Sequence, residues 1–248
     1  MRVRLIGIGP GGPDDLTVAA VHALNEVDVF LVADKQRGVD DLVSVREEIC
    51  RRHITGDHRI VVVPDPPRDR APERYGDEVR DWHAARAQVY ETVLREQVRD
   101  GETAGFLVWG DPSLYDSTIR VIERIRDRGV VDLDYDVIPG VSSVQMLAAR
   151  HRLVLNRIGG PVTITTGRRL SREVAAGGDN LVVMLDGDLS CTELPGEWDI
   201  WWGANLGTSD EELVAGRLSD VRGHIEAARL RSKAARGWVM DTYLLRRA

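Results

Sequence analysis

A chain of 248 residues, 43% hydrophobic and 29% charged, has the make-up of a globular protein long enough for one large domain or two small ones. Its formal net charge of -7 argues against a non-specific nucleic-acid binder, and no apolar run reaches the roughly 20 residues that span a bilayer. Cys50 and Cys191 stand far apart with no CxxC or metal-like spacing, and Met1-Arg2-Val3-Arg4 runs straight into a strand. We therefore expect free thiols, no metal and a cytoplasmic location.

In chain order, Val3 to Ile8 reads as a first strand, followed by Gly7-Ile8-Gly9-Pro10-Gly11-Gly12. Val18, Val21, Leu24 and Val27 share one helical face, and Asp28 to Ala33 is a second strand ending at Asp34-Lys35. A helix over Leu42 to Ile49, a third strand over Ile60 to Val63 and a loop through Asp65-Pro66-Pro67 come next. Arg74 to Asp100 is a long amphipathic helix stopped by Gly101.

Phe106-Leu107-Val108-Trp109 is then an apolar run that breaks off at Gly110-Asp111-Pro112, the pattern of a buried parallel strand ending in a tight turn. Ser113 is placed to cap the following helix, whose Ile119, Ile122 and Ile125 fall on one face. In open α/β sheets, ligands bind at such strand ends, although a plain connection with a solvated Asp reads the same way. Tyr135 to Ile138 is a fifth strand, and Pro139-Gly140-Val141-Ser142-Ser143 opens a helix.

Alternating strands and helices predict a parallel sheet. We place a first α/β domain over 1–150, a linker over 151–160 and a second α/β domain over 161–248. The second domain has strands at Val162 to Thr165, Asn180 to Leu185, Trp198 to Trp202, Glu212 to Leu218 and Gly237 to Leu245, with helices between.

The glycine loop satisfies GxGxxG, with Asp34 roughly 20 residues on, so a dinucleotide-binding oxidoreductase is one reading. Against it, Pro10 and Pro13 delay the helix to about Asp15, too far for its N-terminus to meet a pyrophosphate.

The second reading joins three motifs. Gly7 to Thr17, Gly110-Asp111-Pro112-Ser113-Leu114-Tyr115 and Pro139 to Ser143 resemble, in order and spacing, the tetrapyrrole (corrin/porphyrin) methylase family over essentially the whole chain. Val29 to Lys35, Trp202 to Thr208 and Gly237 to Arg246 resemble the branch that methylates a corrin precursor and expels an acetyl group. The chain departs from the uroporphyrinogen methylases at its end, where Met240-Asp241-Thr242-Tyr243 replaces a Gly-Arg-Val-Val type strand.

The resemblance implies two α/β domains with a cofactor and substrate trough between them, S-adenosyl-L-methionine as cofactor (S-adenosyl-L-homocysteine as product), a precorrin substrate and a homodimer. It carries cofactor contacts onto Pro10, Trp109, Gly110, Asp111, Leu114, Ser142, Ser143, Leu185 and Gly207. Asp111 suits an acceptor for the cofactor's ammonium or ribose, and the serines offer hydroxyls unless they simply cap a helix.

Acetyl loss needs a base for water and a donor for the oxyanion, for which Asp34 and Lys35 at the end of the second strand are the candidates. Arginine forks suit the substrate's acidic arms, pointing to Arg37, Arg157 and Arg168, beside Arg152 and Arg169, while Gly9 backs the ligand trough.

Overall fold

The computed structural model describes residues 1–34, 40–67 and 75–248, apart from the side chains at 34, 40–44, 75–76 and 236. The chain forms two compact units. The first is Met1–Gly9 with Pro13–Val141, and the second is Pro10–Gly12 with Ser142–Ala248. Among the described residues no helix is long and apolar enough to cross a membrane.

The first unit runs β1 (Arg2–Gly7), α1 (Val18–Leu24), β2 (Val29–Asp34), α2 (Asp40–His53), β3 (Arg59–Pro64), α3 (Tyr75–Gln97), β4 (Thr103–Val108), α4 (Thr118–Arg128) and β5 (Asp134–Ile138). Its strands pair in parallel in the order β3-β2-β4-β1-β5. Both faces are covered, as a parallel sheet requires. Val3, Leu5, Val29, Leu31, Ala104 and Phe106 pack with Tyr90 and Leu94 of α3 and Val121, Ile122 and Ile125 of α4. Ile6, Ile8, Phe30 and Leu107 pack on the other face with Ala20, Ala23 and Leu24 of α1 and Ile49 and Cys50 of α2. The alternation of near-continuous apolar strands and one-sided helices, read from the sequence, is this layered core.

α1 starts only at Val18, capped by Thr17, whose Oγ1 accepts from Ala20 N at 3.0 Å. The delay after the glycine loop is longer than the prolines alone predicted, and it removes the helix N-terminus that a dinucleotide fingerprint needs. α4 starts at Thr118 with Ser117 as its N-cap residue, not at Ser113. Asp116 Oδ1 accepts from Thr118 N at 2.6 Å, so a carboxylate does the work expected of the serine.

The second unit runs α5 (Ser143–His151), β6 (Thr163–Thr166), α6 (Gly167–Ala175), β7 (Asn180–Met184), β8 (Trp198–Ala204), β9 (Glu212–Arg217), α7 (Leu218–Arg236) and β10 (Asp241–Arg247). The helix after Ser143, which the sequence reading set in the first domain, groups with this unit, with Val144, Met146 and Leu147 buried. The sheet order is β6-β7-β10-β8-β9, and only β6 and β7 run parallel. The helices expected between all strands are absent from two connections. A single 3₁₀ turn, Ser190–Glu193, lies between β7 and β8, and β8 reaches β9 through a short loop. The short loop joins the antiparallel pair β8 and β9, whereas β7 and β8 run the same way with β10 between them. Trp198, Trp202, Ile200, Tyr243 and Leu245 form the core under α6 and α7. Cys50 and Cys191 are both free and buried.

Candidate functional site

β1 and β4 lie side by side, and the connections from their carboxyl ends run to opposite edges of the sheet. This is the switch point at which open α/β sheets hold ligands. Past β4, Gly110 N donates to Gly9 O at 2.8 Å and Gly9 N to Gly110 O at 3.3 Å, a two-residue antiparallel bridge between the glycine loop and the strand-end loop. A third segment joins them. A Cβ on Gly140 would collide with the Gly110 carbonyl oxygen and lie 2.8 Å from the carbonyl carbon of Gly7. Three backbones thus meet where no side chain fits, which is what glycine supplies at a close approach.

Asp111 fastens this junction. Its Oδ1 accepts from Ser113 N at 2.8 Å and from the Ser113 hydroxyl, and its Oδ2 accepts from Gly140 N at 2.9 Å. Burial works to raise its pKa. The hydrogen bonds from the Ser113 hydroxyl and the Gly140 and Ser113 amides outweigh that and hold the carboxyl below its ordinary range. A carboxylate has about four acceptor sites. Three are taken inside the unit, leaving one for a ligand donor. Trp109 and Leu114 are half-buried on either side, and Tyr115 follows exposed at φ 53. The structure therefore brings together Gly9, Trp109, Gly110, Asp111 and Leu114.

The remaining strand ends of this sheet also carry acids. Asp34 is the last residue of β2, paired with Pro64 of β3. Its side chain, and Lys35 and Arg37 entirely, lie outside the described residues. Asp65, directly after β3, is missing from the sequence-based site. Its Oδ1 lies 3.0 Å from Arg86 Nε, in an ion pair whose side chains are 10% and 15% exposed, and Arg86 Nη1 donates to Ser117 Oγ at 3.4 Å. The Arg86 guanidinium lies 4.6 Å from the Trp82 ring centre and 5.4 Å from that of Tyr90. The sequence signal was there: Trp82, Arg86 and Tyr90 fall four apart on α3, one stripe of the helix.

In the second unit the expected contacts sit on three loops and the stretch Pro10–Gly12. Pro10, Gly11 and Gly12 are buried, and a Cβ on Gly11 would lie 2.9 Å from Leu206 O. Ser142 caps α5: its Oγ accepts from Val144 N at 3.2 Å, and Gln145 completes a capping box. Ser142 therefore serves as the helix cap whatever else it touches. Ser143 Oγ accepts from Thr242 Oγ1 at 2.9 Å. Leu185, just past β7, is 61% exposed with φ 54, a left-handed backbone unusual for leucine. Gly207 N donates to Glu211 Oε2 at 2.7 Å, and Glu211 pairs with Arg150 at 2.8 Å.

Behind Leu185 lies a buried polar network that the sequence reading did not find. Asp186 is 3% exposed. Its carboxylate accepts from Ser190 N at 2.8 Å, Ser190 Oγ at 2.9 Å, Asp188 N at 3.3 Å and the Tyr243 hydroxyl. It sits so close to the first residue of α6 that a Cβ on Gly167 would lie 2.8 Å from its Cβ. Arg229 Nη2 donates to the carbonyls of Asp186 and Gly187 at 2.8 and 2.7 Å, while its Nε lies 3.3 Å from Asp241 Oδ2. Trp202 Nε1 donates to the same Asp241 oxygen at 3.3 Å. Burial pushes the Asp241 carboxyl up to about 6 despite Arg229 and Trp202. Burial likewise raises the Cys191 thiol to about 12, which keeps it an inert neutral neighbour.

The arginines expected on substrate are engaged separately. Arg157 Nη2 donates to Arg247 O at 2.6 Å, Arg169 pairs with Glu173 at 3.0 Å, Arg168 is exposed on α6, and Arg152 closes α5 at φ 54. His151, the last residue of α5, hydrogen-bonds Trp202 O through Nε2 at 3.0 Å.

Comparison with known proteins supplies the rest. The family profile of the tetrapyrrole (corrin/porphyrin) methylases matches residues 2–222. A precorrin-6A synthase [deacetylating] from a Sinorhizobium species is 45% identical over 99% of this chain and 95% of its own length. Among solved structures, a putative cobalamin synthesis related protein (CobF) from Corynebacterium diphtheriae superposes with a TM-score of 0.84 at 38% identity, covering 99% of this chain and 98% of that one. Cobalt precorrin-4 methyltransferase shares the fold with a TM-score of 0.64 at 19% identity, covering 99% and 94% of the two chains. A uroporphyrin-III C-methyltransferase from Thermus thermophilus, complexed with S-adenosyl homocysteine, shares it at 0.57 and 20% identity over 98% and 92%.

Proposed function

This chain belongs to the tetrapyrrole (corrin/porphyrin) methylase family, and from that premise we propose that it is an S-adenosylmethionine-dependent C-methyltransferase of corrin-ring biosynthesis, converting precorrin-5 to precorrin-6A with loss of an acetyl group as acetate. The observation that carries this reading is the 45% identity to a deacetylating precorrin-6A synthase across nearly the full length of both chains.

The residues present suit the cofactor. The junction of Gly7, Gly110 and Gly140 is closed by the chain's own backbone, which holds the strand-end loop that carries Asp111 in place. Asp111 keeps one acceptor site for an ammonium or ribose hydroxyl, Leu185 turns an apolar side chain outward, and Ser143 presents a hydroxyl oriented by Thr242. S-adenosylmethionine, when bound, supplies a methyl on a sulfonium that is its own leaving group. Methyl transfer then asks the chain chiefly for alignment. Trp109, Gly110, Leu114, Ser142, Gly207 and Pro10 complete the proposed cofactor contacts.

Deacetylation asks for more. Asp34 at the end of β2 takes a proton from water, which adds to the acetyl carbonyl while Lys35 stabilises the oxyanion. The bond from the carbonyl carbon to the ring breaks, acetate leaves, and the electron pair stays on the ring as the enamine that accepts the methyl. Arg37, Arg157 and Arg168 are the proposed partners for substrate carboxylates, and Gly9 is a further proposed substrate contact. The working assembly is a cytoplasmic homodimer, checked by light scattering.

The test is incubation of the purified protein with precorrin-5 and S-adenosylmethionine. Acetate and a methylated, deacetylated product should appear in equal amounts, and absence of both overturns the reading. Asp34→Asn should bind S-adenosylhomocysteine yet release no acetate and form no methylated product. Normal acetate release by that variant removes Asp34 as the base. Methylated product still carrying acetyl reverses the order of steps.

A further inference from the structure

We infer that Met240-Asp241-Thr242-Tyr243, which leads into and begins β10, is the positioning element for the second unit's cofactor contacts; this rests on the proposed function, which supplies Ser143, Leu185 and Gly207 as those contacts. β10 lies inside its sheet, between β7 and β8, and runs antiparallel to both. Its first residues therefore sit beside the end of β7, with Thr242 opposite Met184, and beside the end of β8, with Asp241 opposite Ala204.

Met240, Thr242 and Tyr243 each reach a different contact segment, and Asp241 shares the one that Tyr243 reaches. Asn205 N donates to Met240 O at 2.9 Å, and Met240 N donates to Asn205 Oδ1 at 3.5 Å. Asn205 O in turn accepts from Thr208 N at 3.1 Å and Thr208 Oγ1 at 2.8 Å, closing the turn that contains Gly207. Thr242 Oγ1 donates to Ser143 Oγ. The Tyr243 hydroxyl donates to the carboxylate of Asp186, the residue after Leu185. Asp241 adds a second route to the same loop, since Arg229 beside it binds the Asp186 and Gly187 carbonyls.

Two features say that this is more than packing. Tyr243 is 0% exposed among leucine, isoleucine and tryptophan side chains, where phenylalanine would fill the same space without a hydroxyl to satisfy. The hydroxyl's hydrogen bond goes to Asp186. Leu185 keeps a left-handed backbone that its side chain disfavours, so its surroundings hold it there.

The experiment compares Tyr243→Phe, Thr242→Val and Thr242→Ser with wild type. Leu170→Ala, a buried change in the same core, serves as a control for plain destabilisation. Calorimetry gives Kd for S-adenosylhomocysteine, and steady-state kinetics give KM for S-adenosylmethionine and kcat separately. Tyr243→Phe and Thr242→Val should each raise Kd and KM about tenfold with a smaller change in kcat. Thr242→Ser, which keeps the hydroxyl, should stay within about twofold. Leu170→Ala should lower Tm and leave Kd unchanged. Wild-type affinity in both Tyr243→Phe and Thr242→Val, or an equal loss in Leu170→Ala, overturns the inference. If Tyr243→Phe fails to fold, the valine and serine variants at 242 decide alone. Wild type that binds no S-adenosylhomocysteine sinks the proposed cofactor site and this inference with it, a result distinct from failure of the variants.

Discussion

The loop after β4 and the loop after β7 both leave a strand end with an aspartate, and they are held in opposite ways. Asp111 is half-buried and takes its hydrogen bonds from Ser113 and Gly140, a loop fastened by backbone at a glycine junction. Asp186 is buried and takes its hydrogen bonds from Ser190, Asp188 and a tyrosine on another strand. The difference follows from strand direction. In a parallel sheet every neighbour ends where the loop begins, so other strand-end loops are the available supports. In an antiparallel sheet the neighbour starts there, and its first side chains lie beside the loop.

The hardest way to break the first kind of support is Gly140→Ala. Its Cβ would meet the Gly110 carbonyl and Gly7, both backbone, so the strand ends must separate. We expect a loss of about 3 kcal/mol in urea unfolding, at the upper end for overpacking. Wild-type stability would show that the junction is loose.

Gly167→Ala applies the same insult to the second kind. There the new Cβ meets a side chain, Asp186, which can shift only by giving up hydrogen bonds. About 2 kcal/mol is expected, with weaker S-adenosylhomocysteine binding in the same preparation. Lost stability with intact binding would separate Asp186 from the ligand loop.

Asp111→Ala sharpens the comparison on the ligand side. It removes one free acceptor site and the clamp on Gly140, and calorimetry should record a loss of about 1.5 kcal/mol in S-adenosylhomocysteine affinity. An unchanged affinity in a folded variant would make Asp111 a turn residue alone.

The smallest effect is a slope. Asp241 has its carboxyl pushed from 3.8 to about 6, so between those values the folded chain keeps a proton that the unfolded chain has lost. Its contribution to stability therefore falls as pH rises through that window and is flat above it. Asp111, held below its ordinary value, has the opposite sign: what it contributes is present above its unfolded pKa and is lost as pH falls. In Tm measured against pH, Asp241→Asn should remove the descending component between about 4 and 6, and Asp111→Asn should not. Parallel curves for wild type and Asp241→Asn would refute the assignment.

Much of the first sheet was legible because its strands are apolar throughout and its helices one-sided, as at Phe106–Val108 and Ile119–Ile125. The candidate site there is marked in the sequence by its punctuation, the glycines and Asp111 at a strand end. The direction of the second sheet was not. Apolar strands such as Leu181–Val183 look alike parallel or antiparallel, and the clue was the short connection between β8 and β9. Ser113 misled because its Oγ bonds Asp111 and leaves the cap to Asp116. Arg86 with Asp65, and Tyr243 with Asp186, are pairings distant in sequence (21 and 57 residues), so no local pattern joins them. Lys35 and the Asp34 side chain stand as proposals from residue type and strand-end position.

The second unit is not a continuous stretch of chain, since it includes Pro10–Gly12. Ribosomes make those three residues more than a hundred positions before the rest of the unit. A fragment beginning at Ser142 lacks the piece beside Leu206 and Thr208, and a fragment ending at Val141 carries it with nothing to pack on. Cutting the gene between the two sheets would leave the second unit without Pro10–Gly12. The two units thus complete their folds from one polypeptide, and exchange of either with a relative's has to carry the glycine loop along.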